Sequence, residues 1–323
     1  MNRAEFILLL AGLACGRSVQ AQRAPARIAW VWPGSTSGEA TRLAAFRAGM
    51  AENGLVEGQH FRLDLRFADG HYERFPSLVA EALAGQPAIL MVVTIASVRV
   101  AQQATRTVPI IFVSTNDPLG SGLIDSYARP GGNSTGLSTQ NEESGLKNLQ
   151  LLHELLPQAR RVGVLVNPGN PSGPKLIVAM QAAATVLNLT IDSVEATTPQ
   201  GLDAAFAALL KLRPEALMVM PDSMLFNDRE RIADFALKNR LPLLASNREI
   251  VDAGALSSYG VPQGVLFRRS AIYVKKILAG AKPADLPVEQ PTQFHMAVNL
   301  KTAKALGLTI PPIWRLQVDE WVE

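Results

Sequence analysis

Among 323 residues there is one cysteine, Cys15, and there are four histidines, at positions 60, 71, 153 and 295. A lone thiol cannot close a disulfide within the chain, and histidines so scattered make no set at metal-ligand spacing. His153-Glu154 opens like a zinc-protease helix, but the second histidine would fall at Pro157. The glycine motifs of catalysis and nucleotide binding are missing too. "GSTSG" (Gly34–Gly38) carries Thr36 where a nucleophile elbow needs serine, and "GNPSGPK" (Gly169–Lys175) lacks Walker A spacing. No G-x-G-x-x-G follows the first apolar run. The net charge is only +3, with no basic stripe interleaved with aromatics, which excludes nucleic acid as the expected partner. No metal, no cofactor and no catalytic residue is assigned.

The N-terminus reads as a secretory leader. Arg3 is followed by the short apolar run Phe6–Ala14, and Val19-Gln20-Ala21 places small residues before a cut after Ala21. Residues 1–21 are therefore expected to be a signal peptide, and the protein to be periplasmic. Cleavage would leave a chain without thiol, as suits an oxidising compartment. The competing idea, a lipid anchor on Cys15, meets Gly12 where such leaders usually have leucine. No later stretch is long and apolar enough to span a bilayer.

Beyond the leader, β-branched apolar runs alternate with amphipathic runs of helical period. This is the signature of βαβ units and parallel sheets. "RIAWVW", "AILMVVTI" and "VPIIFVS" lead one array, and "RVGVLVN", "EALMVMPD" and "PLLAS" lead another of similar size. The expected fold class is α/β, two doubly wound Rossmann-like lobes joined by a hinge. The elements after "PLLAS" exceed what the second array needs, so the chain is expected to return to the first lobe and cross again. The division reads 27–137 plus 256–284 for lobe 1, and 138–255 plus 285–323 for lobe 2.

Polar residues recur just past the carboxyl ends of the expected strands. In the first array these are Trp32, Ser35, Thr36 and Ser37, then Thr94 and Ser97, then Ser114, Thr115, Asn116 and Asp117. In the second they are Asn167, Asp222, Ser246 and Asn247, and Tyr259 lies near the expected hinge. Open α/β sheets bind ligands at those ends, where helix N-termini suit a carboxylate. Asp117 and Asp222 are the candidates for an ammonium, and Trp32 for stacking a ring. Each residue also has a plainer role: capping for Ser35, Thr36, Ser37 and Asp222, an Asx turn for Asn116, Asp117 and Asn167, packing for Trp32 and Tyr259. Arg42, Arg47, Lys211, Lys238, Lys275 and Lys276 read as solvated helix faces.

Several stretches together resemble one family. They include "RIAWVWPGS", "VPIIFVSTNDPLGSGLIDSYARPGGNSTGLS" and "KPADLPVEQPTQFHMAVNLKTAKALGLTIP". They look like the ABC-transporter substrate-binding proteins of the tryptophan/tyrosine-binding-like group. The resemblance implies a type I periplasmic-binding-protein fold with three crossovers, and a ligand buried between the lobes by hinge closure. It implies an amino-acid ligand, aromatic favoured, an ABC permease as partner, a monomer, and no catalysis. Its cleft loops correspond to Gly34–Ser37, Thr94–Ser97 and Ser114–Asp117, and to Asn167, Asp222 and Ser246–Asn247. Leaders of this group often carry twin arginines; Asn2-Arg3-Ala4 does not, which points to the general secretory route. Other classes stay open: a hydrolase-like α/β enzyme on a small polar substrate, or a sensor without a transport role.

Overall fold

The structure, a computed structural model, describes residues 24–323. The expected leader, with Cys15, lies outside the described residues.

The first array folds as five parallel strands in the order β2-β1-β3-β4-β5. These are β1 (Ala26–Trp32), β2 (Phe61–Phe67), β3 (Ile89–Val92), β4 (Ile110–Asn116) and β5 (Ser134–Thr139). Helices α1 (Ala40–Glu52), α2 (Phe75–Ala84) and α3 (Ile95–Ala104) connect them. Because side chains alternate across a strand, β1 feeds two cores. Ile28, Trp30 and Trp32 join Phe46, Met50 and Phe267 on one face, while Ala29 and Val31 join Phe75, Val79 and Phe112 on the other. β3 is buried throughout, as its unbroken apolar run requires. β2 is half-buried and lies at the edge.

The second sheet has seven strands in the order β12-β11-β10-β9-β8-β6-β7, parallel except between β10 and β11. Its strands are β6 (Arg161–Val166), β7 (Thr190–Glu195), β8 (Ala216–Val219), β9 (Leu243–Ala245), β10 (Ser257–Gly260), β11 (His295–Asn299) and β12 (Glu320–Val322). Helices α4 (Asn141–Leu155), α5 (Gly173–Val186), α6 (Leu202–Leu212), α7 (Ser223–Asn227), α8 (Arg229–Lys238), α9 (Arg248–Asp252) and α11 (Leu300–Leu306) flank it. Among the described residues no helix is long and apolar enough to cross a membrane.

Helix α10 (Gln263–Leu278) leaves β10 and packs back on the first lobe. Gly49 makes this possible: a Cβ there would run into the Arg268 carbonyl, so α1 and α10 touch backbone to backbone. The sequence division differs from this path at two places. Ser257–Gly260 pairs with β9 and β11 and so belongs to the second sheet, and the chain crosses only between Gly260 and Gln263. The return crossing is also later than residue 285, because Leu286 and Val288 still pack in the first lobe and Glu289 bridges Leu137. β5, α9 and β12 have no counterpart in the apolar pattern. β5 reads "STGLST", and two of its hydroxyls donate to the returning chain, Thr135 to the Leu286 carbonyl and Ser138 to that of Glu289.

Candidate functional site

The carboxyl ends of strands from both sheets face one gap. Thr94, Ser114 and Asn116 line it from the first lobe, and Asp222, Ser246 and Asn247 from the second. Arg42, Asn141, Asn170, Ser172, Ser223 and Gln263 complete its polar lining, with Val93, Ile95, Pro221, Phe226 and Val261 as its apolar part. The cavity measures about 70 Å³, room for several ordered waters or one compact solute.

The segment "STND" is built by a bulge. The β4–β5 register shifts between Val113 and Thr115, and Ser114 (φ 60°) and Asp117 (φ 37°) adopt left-handed backbone. Such conformations cost energy in a non-glycine residue and persist where surrounding contacts fix them. Here the bulge turns Ser114 Oγ onto Gln263 Oε1, 2.6 Å away, while Thr115 Oγ1 donates to the Val93 carbonyl at 2.8 Å. Asn116 Oδ1 accepts from the Asn141 N–H at 3.0 Å and its Nδ2 donates to Glu142 Oε1 at 3.1 Å. The strand end is thereby tied to the start of α4 and to the hinge. Thr94 and Ser97 form a reciprocal capping box at the start of α3.

Asp222 is the most heavily bonded side chain of the cleft. Its Oδ1 accepts from the Met224 and Leu225 N–H groups (2.9 and 3.1 Å) and from Asn167 Nδ2 (3.2 Å). Its Oδ2 accepts from Tyr72 Oη at 2.8 Å and from Asn170 Nδ2 at 3.3 Å. Burial pushes its carboxyl above the ordinary value, and the Tyr72, Leu225, Asn167 and Met224 donors pull the other way. Five donors leave no free oxygen for a ligand ammonium. Asp222 is the α7 cap and the acceptor of a bond that crosses the cleft, because Tyr72 stands in the first lobe. Burial and the Asp222 charge hold the Tyr72 phenol well above its usual value, so it stays a donor.

Other expected site residues lie elsewhere. Trp32 is fully buried, stacked on Trp30 at 4.2 Å and on Phe267 at 5.3 Å, and cannot meet a ring in the cleft. Its length and flatness fit the helix–sheet core, which wins over exposure at a strand end. Ser35, Thr36 and Ser37 stay outside the cavity, with Ser35 Oγ accepting from Gly38 N–H at 3.2 Å. Ser97 is buried behind Thr94. Asp117 sits at the cleft mouth, paired with Lys175 of the other lobe at 3.3 Å. Asn167 lies behind Asp222 in a separate small recess, and Tyr259 stacks on Phe294 at 5.5 Å.

The residue most misjudged by pattern is Arg42. Read as a solvated lysine-or-arginine position, it is 5% exposed. It pairs with the buried Glu39 at 3.0 Å, and its guanidinium lies 3.9 Å from the Phe226 ring centroid, on the opposite lobe. Burial raises the Glu39 carboxyl above its ordinary value, and Arg42 opposes the shift. Tyr72–Asp222, Lys175–Asp117 and Arg42–Phe226 hold the two lobes in a closed arrangement. Among the described residues no group of three or more His, Cys, Asp or Glu is placed to hold a metal ion.

The ABC transporter substrate binding protein family matches residues 36–315. The chain belongs to that family. Proteins of this family are extracytoplasmic and bind small molecules for ABC transporters. A tyrosine-binding protein of Clostridioides difficile (strain R20291) is 24% identical over 263 residues, 81% of this chain and 75% of that one. An ABC domain in complex with L-Trp from Streptococcus pneumonia superposes with a TM-score of 0.83 at 21% identity, covering 91% of this chain and 100% of that one. The ligand-free, open structure of a substrate binding protein with adhesive properties from Clostridium difficile gives 0.64 at 22% identity, over 92% and 99% of the chains. The fold is that of the type I periplasmic binding proteins.

Proposed function

We propose that this chain is a periplasmic, monomeric, non-catalytic receptor that holds a small solute between its lobes and delivers it to an ABC permease in the inner membrane. The observation that carries the reading is the meeting of strand ends from both sheets around one polar cavity. A solute bonded to both walls favours the closed form by its differential affinity for that form, and this is all the mechanism needs. The named relatives make an amino acid, aromatic ones first, the ligand to test. Since Trp32 is committed to the core, a ring would rest on the apolar wall of Val93, Ile95, Val261 and Phe226. Polar contacts would come from Thr94, Ser114, Asn116, Ser246 and Asn247. Asn247 stands at the N-cap of α9 without making the capping bond, which leaves its amide for a ligand. Thermal-shift screening of the protein against amino acids, aromatic acids and sugars tests the reading. A ligand that raises the melting temperature and is recovered unchanged supports it; turnover of that ligand refutes it.

A further inference from the structure

The charges around the cleft are unequally available. Arg42 is the one positively charged side chain in the lining among the described residues. Its Nη1 donates to Glu39 Oε2, but its Nε is buried without an acceptor, as Glu39 Oε1 is without a donor. An unmet donor on a buried charged group is costly, and an anion beside it would remove that cost. The long helix α10 also begins at this cavity with no side-chain cap on its first N–H groups, adding positive partial charge. The one carboxylate in the lining, Asp222, already accepts five hydrogen bonds.

We infer that the cleft recognises its ligand by a carboxylate group seated on Arg42, and that this seat is complete only when Phe226 of the second lobe closes over the guanidinium. The inference rests on the solute-receptor reading and narrows its ligand class. The ligand is a small organic acid or an amino acid read through its acid group, not a neutral sugar or an amine. Phe226 gives closure a direct part in recognition. Its ring covers the guanidinium, with the centroid 3.9 Å from Arg42 Cζ.

Matched pairs differing only at the acid test this. Calorimetric titration of the whole protein would use L-tyrosine against L-tyrosinamide, L-tryptophan against its amide, L-leucine against its amide, and D-galacturonate against D-galactose. The acid of at least one pair is expected to bind, at least tenfold tighter than its neutral partner. Because Arg42→Gln strands a buried Glu39, the paired variant Glu39→Gln/Arg42→Gln is used; it is expected to keep the fold and erase the preference. Glu39→Gln alone, which frees the guanidinium, is expected to tighten the acid. Equal binding of acid and neutral partner, no binding by any acid, or a preference surviving in the double variant would overturn the inference. Closure by galactose alone would overturn it while leaving the solute-receptor reading standing.

Discussion

Removing one oxygen from Tyr72 isolates the bond that spans the cleft. Tyr72 Oη donates to Asp222 at 2.8 Å from the opposite lobe, whereas Asn167, Asn170 and the two α7 amides share the lobe of Asp222. Of the five bonds to Asp222, the Tyr72 bond alone is therefore lost on opening. A hydrogen bond to a charged acceptor contributes about 1.5–3 kcal/mol, and water recovers part of it in the open form. A net bias of about 1–2 kcal/mol toward closure follows, or a factor of about 5–30 in the closure equilibrium. Tyr72→Phe keeps the ring against Phe75, 5.1 Å away, so packing is preserved. Where the free protein is mostly open, the dissociation constant of any ligand held by closure rises by that factor. Isothermal titration of the variant with a ligand identified by screening reads it directly. A dissociation constant within about twofold of wild type would refute the reasoning.

Asp222→Ala removes the α7 cap and strands several donors; it should cost about 2–3 kcal/mol of stability, read as a lower urea midpoint in the absence of ligand. Of the two roles the sequence offered for Asp222, ligand contact and helix cap, this measures the cap. Lys175→Met removes a pair whose lysine side chain is 61% exposed; it should weaken closure by less than about 1 kcal/mol, and salt should weaken wild type to match. Glu39 gives a pH dependence. Its folded pKa lies above the free value of 4.5, so its contribution is full below the free value and is lost as pH rises through the folded one. Wild type should therefore lose stability relative to Glu39→Gln over that rise, measured by urea unfolding from about pH 4 to about pH 8. Gly49→Ala should destabilise the first lobe by pushing α10 off α1, seen as early melting of that lobe in hydrogen exchange.

Most of the fold was legible because buried parallel strands advertise themselves. "ILMV" and "IIFV" have no polar side to confuse the reading, and the edge strand β2 alternates as an edge should. β5 was hidden because a buried strand of serine and threonine has no apolar pattern; its Thr135 and Ser138 hydroxyls are met by chain more than a hundred residues away. The site was half legible. Thr94, Ser114, Asn116, Asp222, Ser246 and Asn247 meet at the cavity because the carboxyl-end rule concerns topology. Arg42 escaped because nothing local marks a helix arginine as buried; its partners are Glu39, three residues before it, and Phe226 in the other lobe. Glu39 was the available signal, an acid three residues ahead of an arginine at the start of a helix. Trp32 misled because an aromatic at a strand end looks the same whether it faces the gap or the core.

On the solute-receptor reading the two walls close on a shared guest. Small-angle scattering of the protein, alone and saturated with a ligand that raises its melting temperature, tests it most directly. A smaller radius of gyration with the ligand is the predicted result, and a Tyr72→Phe variant needing more ligand to reach it would agree. An identical profile in both states, with binding verified in the same sample, would contradict the account.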